Sequence, residues 1–162
     1  YNFIDGIDGL AISETLKNLS FFLYFFNSDD QFYGIVYILF FICIPFYYFN
    51  LKKRKKVFLG DAGSLFLGGV NIVLLFNLLN PNVNINVNID TNRILLALAL
   101  LFYPLIDLIR VVIIRLKNGK SPFTADQNHI HHLIVNKGFS HIKATFFIIF
   151  AGTTLIFTIL YI

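Results

Sequence analysis

The sequence predicts an all-α, polytopic membrane helix bundle, and three observations carry that expectation. Of the 162 residues, 57% are hydrophobic and 14% charged, against roughly 25% charged in ordinary soluble domains. Mean hydropathy is +0.72. The apolar residues gather into five runs separated by polar loops, and each run is near the roughly 20 residues that a helix needs to cross the hydrocarbon core. The length fits one domain.

The runs follow in order. Residues 1–9 are a polar, glycine-punctuated entry holding Asp5 and Asp8. Residues 10–26 form a marginal first span with Glu14 and Lys17 in its early turns. Three apart, those two share a helix face and either pair or turn toward the bundle interior. After an acidic loop at 27–31, residues 32–49 form a clear second span, its end kinked by Pro45. A basic loop from Lys52 to Lys56 and a Gly60-Asp61-Ala62-Gly63-Ser64 turn lead into a third span at about 64–79. The polar loop at 80–92 contains a strict apolar/polar alternation at 83–90, the period of a strand, and predicts a short extended or hairpin excursion. A fourth span runs from 93 or 94 to 114, with Pro104 and Asp107 inside it. Asp107 and Arg110, three apart near its end, are expected either to pair with each other or to contact substrate. A long polar segment at 115–141 precedes the last span at 144–162.

Five alternating spans put the entry segment, the Lys52–Lys56 loop and the 115–141 loop on one side, together with nearly all the loop Lys and Arg. The positive-inside rule makes that side cytoplasmic. The charge of +4 therefore reflects topology rather than nucleic-acid binding, which calls for basic groups interleaved with exposed aromatics. Cys43 is the single cysteine, so no disulfide framework exists. The chain begins at Tyr1 and contains no Met, and it reads as the C-terminal portion of a longer protein. The N-terminus has no charged segment, apolar core and cleavage site in series.

Three stretches supply polar groups to the basic side. In Asn2-Phe3-Ile4-Asp5-Gly6-Ile7-Asp8-Gly9, two carboxylates three apart suit a turn entering a helix. Asp8 as a plain N-cap is the alternative, and the ligand pattern of an EF-hand is missing. Asp61 is either a cap for the third span or a ligand for hard Mg²⁺, with backbone amides near Gly63 and Ser64 placed to meet phosphate. A Walker A loop is excluded, since no Gly-Lys-Ser/Thr follows. The third stretch runs from Arg115 through Ser121-Pro122-Phe123-Thr124-Ala125-Asp126-Gln127-Asn128 to His129-Ile130-His131-His132. Three of the four histidines fall within four positions, without the spacing or the Glu of a helical zinc protease. With Arg115, Lys117 and Lys120 close by, a polyanion-binding loop is the better reading.

Taken together, in this order, the three stretches resemble the polyprenyl-phosphate N-acetylhexosamine-1-phosphate transferase superfamily, the glycosyltransferase 4 family. The likeness rests on Asn-Phe-Ile-Asp-Gly-Ile-Asp-Gly-Leu-Ala, Phe-Leu-Gly-Asp-Ala-Gly-Ser-Leu-Phe-Leu-Gly and Ser-Pro-Phe-Thr-Ala-Asp-Gln-Asn-His-Ile-His-His, followed by Gly138-Phe139-Ser140-His141. His-Ile-His-His resembles the branch that starts O-antigen, enterobacterial common antigen and teichoic acid synthesis. The muramoyl-pentapeptide branch, with three adjacent histidines, is the alternative.

The resemblance implies transfer of N-acetylglucosamine-1-phosphate, or a related N-acetylhexosamine-1-phosphate, from the UDP-sugar to undecaprenyl phosphate, with release of UMP. It implies Mg²⁺ (or Mn²⁺) on Asp61 and catalytic roles for Asp5, Asp8 and Asp61. Asn2 would help hold the nucleotide-sugar, while Arg115, His129, His131 and His132 would clamp the diphosphate. It further implies a multi-pass protein of the bacterial inner membrane with its site on the cytoplasmic face, bilayer lipid as a partner, no nucleic acid, and room for a homodimer. Family members also carry an Asp-Asp motif in an early cytoplasmic loop, which has no counterpart here, because Asp29-Asp30 falls on the outer side. The isolated 162 residues are accordingly expected to be inactive. Rival readings are a transporter, with Asp61 and Asp107 as ion groups in the membrane, or a remnant without function.

Overall fold

The computed structural model describes residues 1–52, 54–83, 85, 93–124 and 126–161. Its elements are a 3₁₀ turn, Asn2–Ile4, and seven helices: α1 (Leu10–Phe25), α2 (Tyr33–Leu51), α3 (Gly60–Leu79), α4 (Arg93–Leu100), α5 (Phe102–Lys117), α6 (Ile130–Asn136) and α7 (His141–Leu160). The only β pairing among the described residues is an isolated antiparallel bridge between Phe26 and Ile85. Apart from Val83 and Ile85, the expected extended excursion at 83–90 lies outside the described residues.

The all-helical class holds, with three or four of the five expected spans long and apolar enough on their own to cross a membrane. Among the described residues three helices, α2, α3 and α7, are each long and apolar enough to cross a membrane, and α4 with α5 makes a fourth if the bent pair counts as one span. The expected first span is instead α1, 16 residues long, with ten of them buried, including Glu14, Lys17 and Asn18. It packs against α2, α3 and α7, so it is the post around which the bundle stands. Lys17 donates to Glu14 at 2.6 Å with both side chains buried, which satisfies both readings of that pair at once. Asn18 donates to Asn71 of α3 at 2.9 Å and to the Tyr1 hydroxyl at 3.0 Å. Such amide contacts fasten helices where no hydrophobic force between them acts, since lipid is as apolar as the helix surfaces.

The expected fourth span is broken. α4 ends at Leu100 and α5 begins at Phe102, with a bend of 68° between them. Pro104 explains the position of the break, because it has no N–H and its ring clashes with the carbonyl four residues back, which belongs to Leu100. Pro45 acts differently, and α2 runs through it for six more residues to Leu51.

Large apolar side chains such as Phe41, Phe66 and Phe150 face outward, as a lipid-contacting surface requires. The main core lies between α1, α2, α3, α4 and α7 around Phe22, Leu74, Leu78, Leu96 and Ile156. A second, smaller cluster of Ile4, Ile7, Leu10, Tyr103, Ala144 and Ile148 underlies the polar end of the bundle, where the three motif stretches meet.

Candidate active site

The site is built on a glycine-dependent entry turn. Gly9 precedes α1 with φ +80°, a left-handed conformation that glycine adopts without penalty. Its N–H donates to Asn50 Oδ1 at 2.7 Å, and Asn50 Nδ2 donates to the Val57 carbonyl at 2.8 Å. One buried amide thus ties the entry turn to the end of α2 and to the strand of chain leading into α3. Asp8 makes no capping bond to α1, so the capping alternative does not apply to it. Its carboxylate instead accepts from Lys56 and stands 3.2 Å from Nδ1 of His141, where α7 begins. Burial acts to raise this carboxyl, but the Lys56 ammonium and His141 outweigh it and leave it below the ordinary carboxylate range.

Asp61 lies in the first turn of α3 and is exposed. The helix is preceded by Leu59 with no side-chain cap, so Asp61 is not the cap either. One turn on, the Ser64 hydroxyl donates to Asn2 Oδ1 at 3.0 Å, which joins the entry segment to this turn. Asp5 sits close enough to Asp61 and Asp8 to feel both. Its carboxyl is pushed up by burial first, then by the charge of Asp61 and of Asp8, with Lys56 opposing.

The histidines complete the corner. His131 is fully buried, and its Nδ1 is hydrogen-bonded to the Tyr103 hydroxyl at 2.8 Å. A Cβ added at Gly6 would lie 2.3 Å from His131 Nε2 and 3.1 Å from His132 Nε2. Gly6 is therefore the residue that lets the Asp5–Asp8 loop lie against the histidine helix. Burial, and then the neighbouring His132, push the His131 imidazole down to about 4. The same causes, burial and then His129, lower His132.

His129 stacks on Phe3 at 5.9 Å and on His131 at 5.5 Å, and it donates from Nδ1 to Asp107 Oδ2 at 2.7 Å. Asp107 therefore does not pair with Arg110, which removes the pairing alternative of the two that spacing offered. Arg110 donates to the Asn128 carbonyl instead. The loop before α6 brings both groups partners that helix geometry alone does not contain.

Of the eight expected site residues, Asn2, Asp5, Asp8, Asp61, His129, His131 and His132 gather at one end of the bundle. Arg115 is already engaged: buried, it donates from Nε and Nη2 to both oxygens of Asp126 at 3.0 Å and from Nη1 to the Pro122 carbonyl. It organises the loop that delivers His129. Asp126 is held well below the usual carboxylate range by that guanidinium. Lys56, Ser64 and His141 also lie at this corner, and the sequence pointed to them only as members of a basic loop, a turn and a motif. Asn50 and Tyr103 were not named from the sequence, and of these two only Asn50, a lone amide closing an otherwise apolar helix, carried a visible signal.

Among the described residues, no three His, Cys, Asp or Glu side chains are grouped to hold a metal on their own. Mg²⁺ does not require such a cage. It is commonly held by one or two carboxylates plus substrate phosphates. The Asp5–Asp61 pair supplies hard oxygen donors whose mutual repulsion a cation relieves, so the donor chemistry fits that ion.

Fold and site together define a polytopic membrane protein with an acid–histidine corner at one end of its helices. The family model described as Glycosyl transferase family 4 matches residues 1–79. An undecaprenyl-phosphate alpha-N-acetylglucosaminyl 1-phosphate transferase of Yersinia pestis is 33% identical over 160 residues, covering 96% of this chain and 42% of the relative. The protein of the same description from Escherichia coli K12 is 31% identical over 162 residues, with the same coverage of each chain. A decaprenyl-phosphate N-acetylglucosaminephosphotransferase of Mycobacterium leprae is 30% identical over 86% of this chain and 39% of its own length. The chain belongs to glycosyl transferase family 4, and it spans about two-fifths of the length of these curated relatives. No solved structure matches it.

Proposed function

We propose that the protein carrying this chain transfers N-acetylglucosamine-1-phosphate from its UDP-sugar to undecaprenyl phosphate. The supporting observation is the meeting of the Asp5–Asp8 loop, the Asp61 turn and the histidine helix at one end of the bundle, fixed by the Asn2–Ser64 and Asp8–Lys56 contacts and by the approach of Gly6 to His131. The names of the relatives supply the donor sugar and the lipid acceptor.

In this reading an oxygen of the acceptor phosphate attacks the β-phosphorus of the UDP-sugar. The bond from that phosphorus to the bridging oxygen breaks, and UMP leaves with the electron pair. Phosphoryl transfer asks mainly for alignment and for neutralisation of developing charge. Asp61, with Asp5, would hold Mg²⁺, which when bound supplies charge neutralisation on the diphosphate. Lys56 and His141 hold Asp8 ionised beside that pair. His129 and His132 meet phosphate oxygens, and His131, buried and bonded to Tyr103, sets the wall behind them. The basic residues at this end, among them Lys52, Arg54, Lys55, Lys56, Lys117 and Lys120, against Arg93 toward the other, support a cytoplasmic site in the inner membrane.

The test is Asp61→Asn in the full-length protein, read as UMP release in detergent with UDP-N-acetylglucosamine and undecaprenyl phosphate. A loss of about 10²–10³-fold is expected, the range for removing one preorganised stabiliser of transition-state charge. Near-normal turnover at saturating Mg²⁺ would remove Asp61 from the site.

A further inference from the structure

We infer that Asp107 is a positioning residue: it holds His129 by Nδ1 as the charged imidazole whose Nε2–H grips the donor diphosphate. The inference rests on the proposed diphosphate site and adds to it a group on α5 that touches no substrate. Both oxygens of the carboxylate are committed. Oδ2 accepts from His129 Nδ1 at 2.7 Å, and Oδ1 accepts the backbone N–H of Ile130, the next residue, also at 2.7 Å. Asp107 is 1% exposed, and a buried carboxylate demands a charged or strongly donating partner.

The ring also stacks on Phe3 and on His131. The residue before it is tied to α5 through Arg110 and the Asn128 carbonyl. With Nδ1 spoken for, Nε2 has no hydrogen-bond partner among the described residues and is the nitrogen left for a ligand. The titratable groups around His129 are Asp107 from α5, His131 and His132 from α6 and, beyond them, His141 of α7. Phe3, from the entry turn, brings no charge. Of the three clustered histidines, His129 alone has a carboxylate in contact, so it is the one equipped to carry a proton against an anion.

Asp107→Asn isolates this role. The buried N–H of Ile130 must keep an acceptor, so the new side-chain oxygen stays there and the amide group faces Nδ1. Nδ1 then has to accept, and the ring becomes neutral with its proton on Nε2, keeping a donor while losing the charge. For the full-length protein at pH 8 the expected result is a rise in KM for UDP-N-acetylglucosamine of about 10–100-fold, the worth of one charge-assisted hydrogen bond, with kcat changed less. The difference should shrink as the pH falls and solvent supplies the proton that the variant ring lacks. Asp107→Glu should recover part of the affinity. His129→Ala, which removes the donor as well as the charge, should raise KM at least as much, and adding Asp107→Asn to it should cost nothing more.

A thermal transition lowered by Asp107→Asn, with KM and pH profile as in the wild type, would reduce Asp107 to a structural role and overturn the inference. If His129→Ala leaves KM unchanged, the diphosphate role of His129 fails first and the inference with it. Should Asp107→Asn not fold, nitrogen-15 spectra of histidine-labelled wild type, assigned with His129→Ala, decide instead. Both ring nitrogens protonated at neutral pH support the inference, and a neutral Nε2–H ring overturns it.

Discussion

Two groups of charge stand at the same end of this bundle and are built in opposite ways. In the α5–α6 connection the buried charges are paired. Arg115 meets both oxygens of Asp126, and Asp107 meets His129 and the Ile130 amide. In the entry corner like charges face each other, and Asp5, raised first by burial, is pushed up further by both Asp61 and Asp8. The first group spends its electrostatics on holding a loop in place. The second leaves a deficit of positive charge facing the solvent side, where a cation and a diphosphate would be received. On the proposed reading, the contrast separates the residues that shape the site from those that would meet its ligands.

The largest effect should come from forcing the two groups apart. Gly6→Val adds atoms where His131 Nε2 stands 2.3 Å away, so the entry loop must lift from the histidine helix. Misplacement of about 1 Å can cost on the order of 10²-fold in rate, and UMP release is expected to fall at least that far while the helical circular dichroism is retained. Breaking the paired group is expected to act on stability instead. Asp126→Ala leaves Arg115 buried without its carboxylate, at a cost of about 3 kcal/mol, seen as a lowered thermal midpoint in detergent.

Acidification should weaken the same wall. The folded His131 takes its proton only near pH 4, against an ordinary value of 6.5. Below about 6.5 the unfolded chain therefore binds a proton that the folded chain refuses. Stability falls as pH drops from about 6.5 to about 4, on the order of 2–3 kcal/mol in all. Asp8 and Asp126, both depressed, continue the loss at lower pH as they are protonated. His131→Phe should flatten the first part of that curve. The smallest effect has the opposite sign: without metal, Asp5→Asn removes a carboxylate raised by burial and by its neighbours, and the thermal midpoint should rise by about 1–2 °C even as activity is lost.

The bundle and the meeting of the three stretches were legible in the sequence because both follow from patterns along the chain. Apolar runs of membrane length and alternating basic loops suffice to bring Asp5, Asp61 and the histidines to one end. Glu14 and Lys17 were legible for the same reason, three apart on one helix. The same rule failed for Asp107 and Arg110, because it sees only the helix they share, and their partners arrive from a loop about twenty residues on. Arg115 has a partner that the sequence pattern did not show: a basic residue beside a histidine cluster suggests an anion site, and only the fold reveals that Asp126 meets its guanidinium. The status of α1 depends on what surrounds it. Its 16 residues are apolar enough to suggest a span, yet they are buried among α2, α3 and α7, and no single-chain pattern separates a helix that faces lipid from one enclosed by its neighbours.

The central claim is that Asp5 and Asp61 act as one unit at the receiving corner, and a double-mutant cycle on UMP release tests it most directly. With Asp5→Asn, Asp61→Asn and both together in the full-length protein, groups that act as a unit give losses that do not multiply. The expected result is about 10²-fold for each single change and about the same for the pair. A double variant slower by the product, on the order of 10⁴-fold, would show that the two carboxylates work independently and contradict the account.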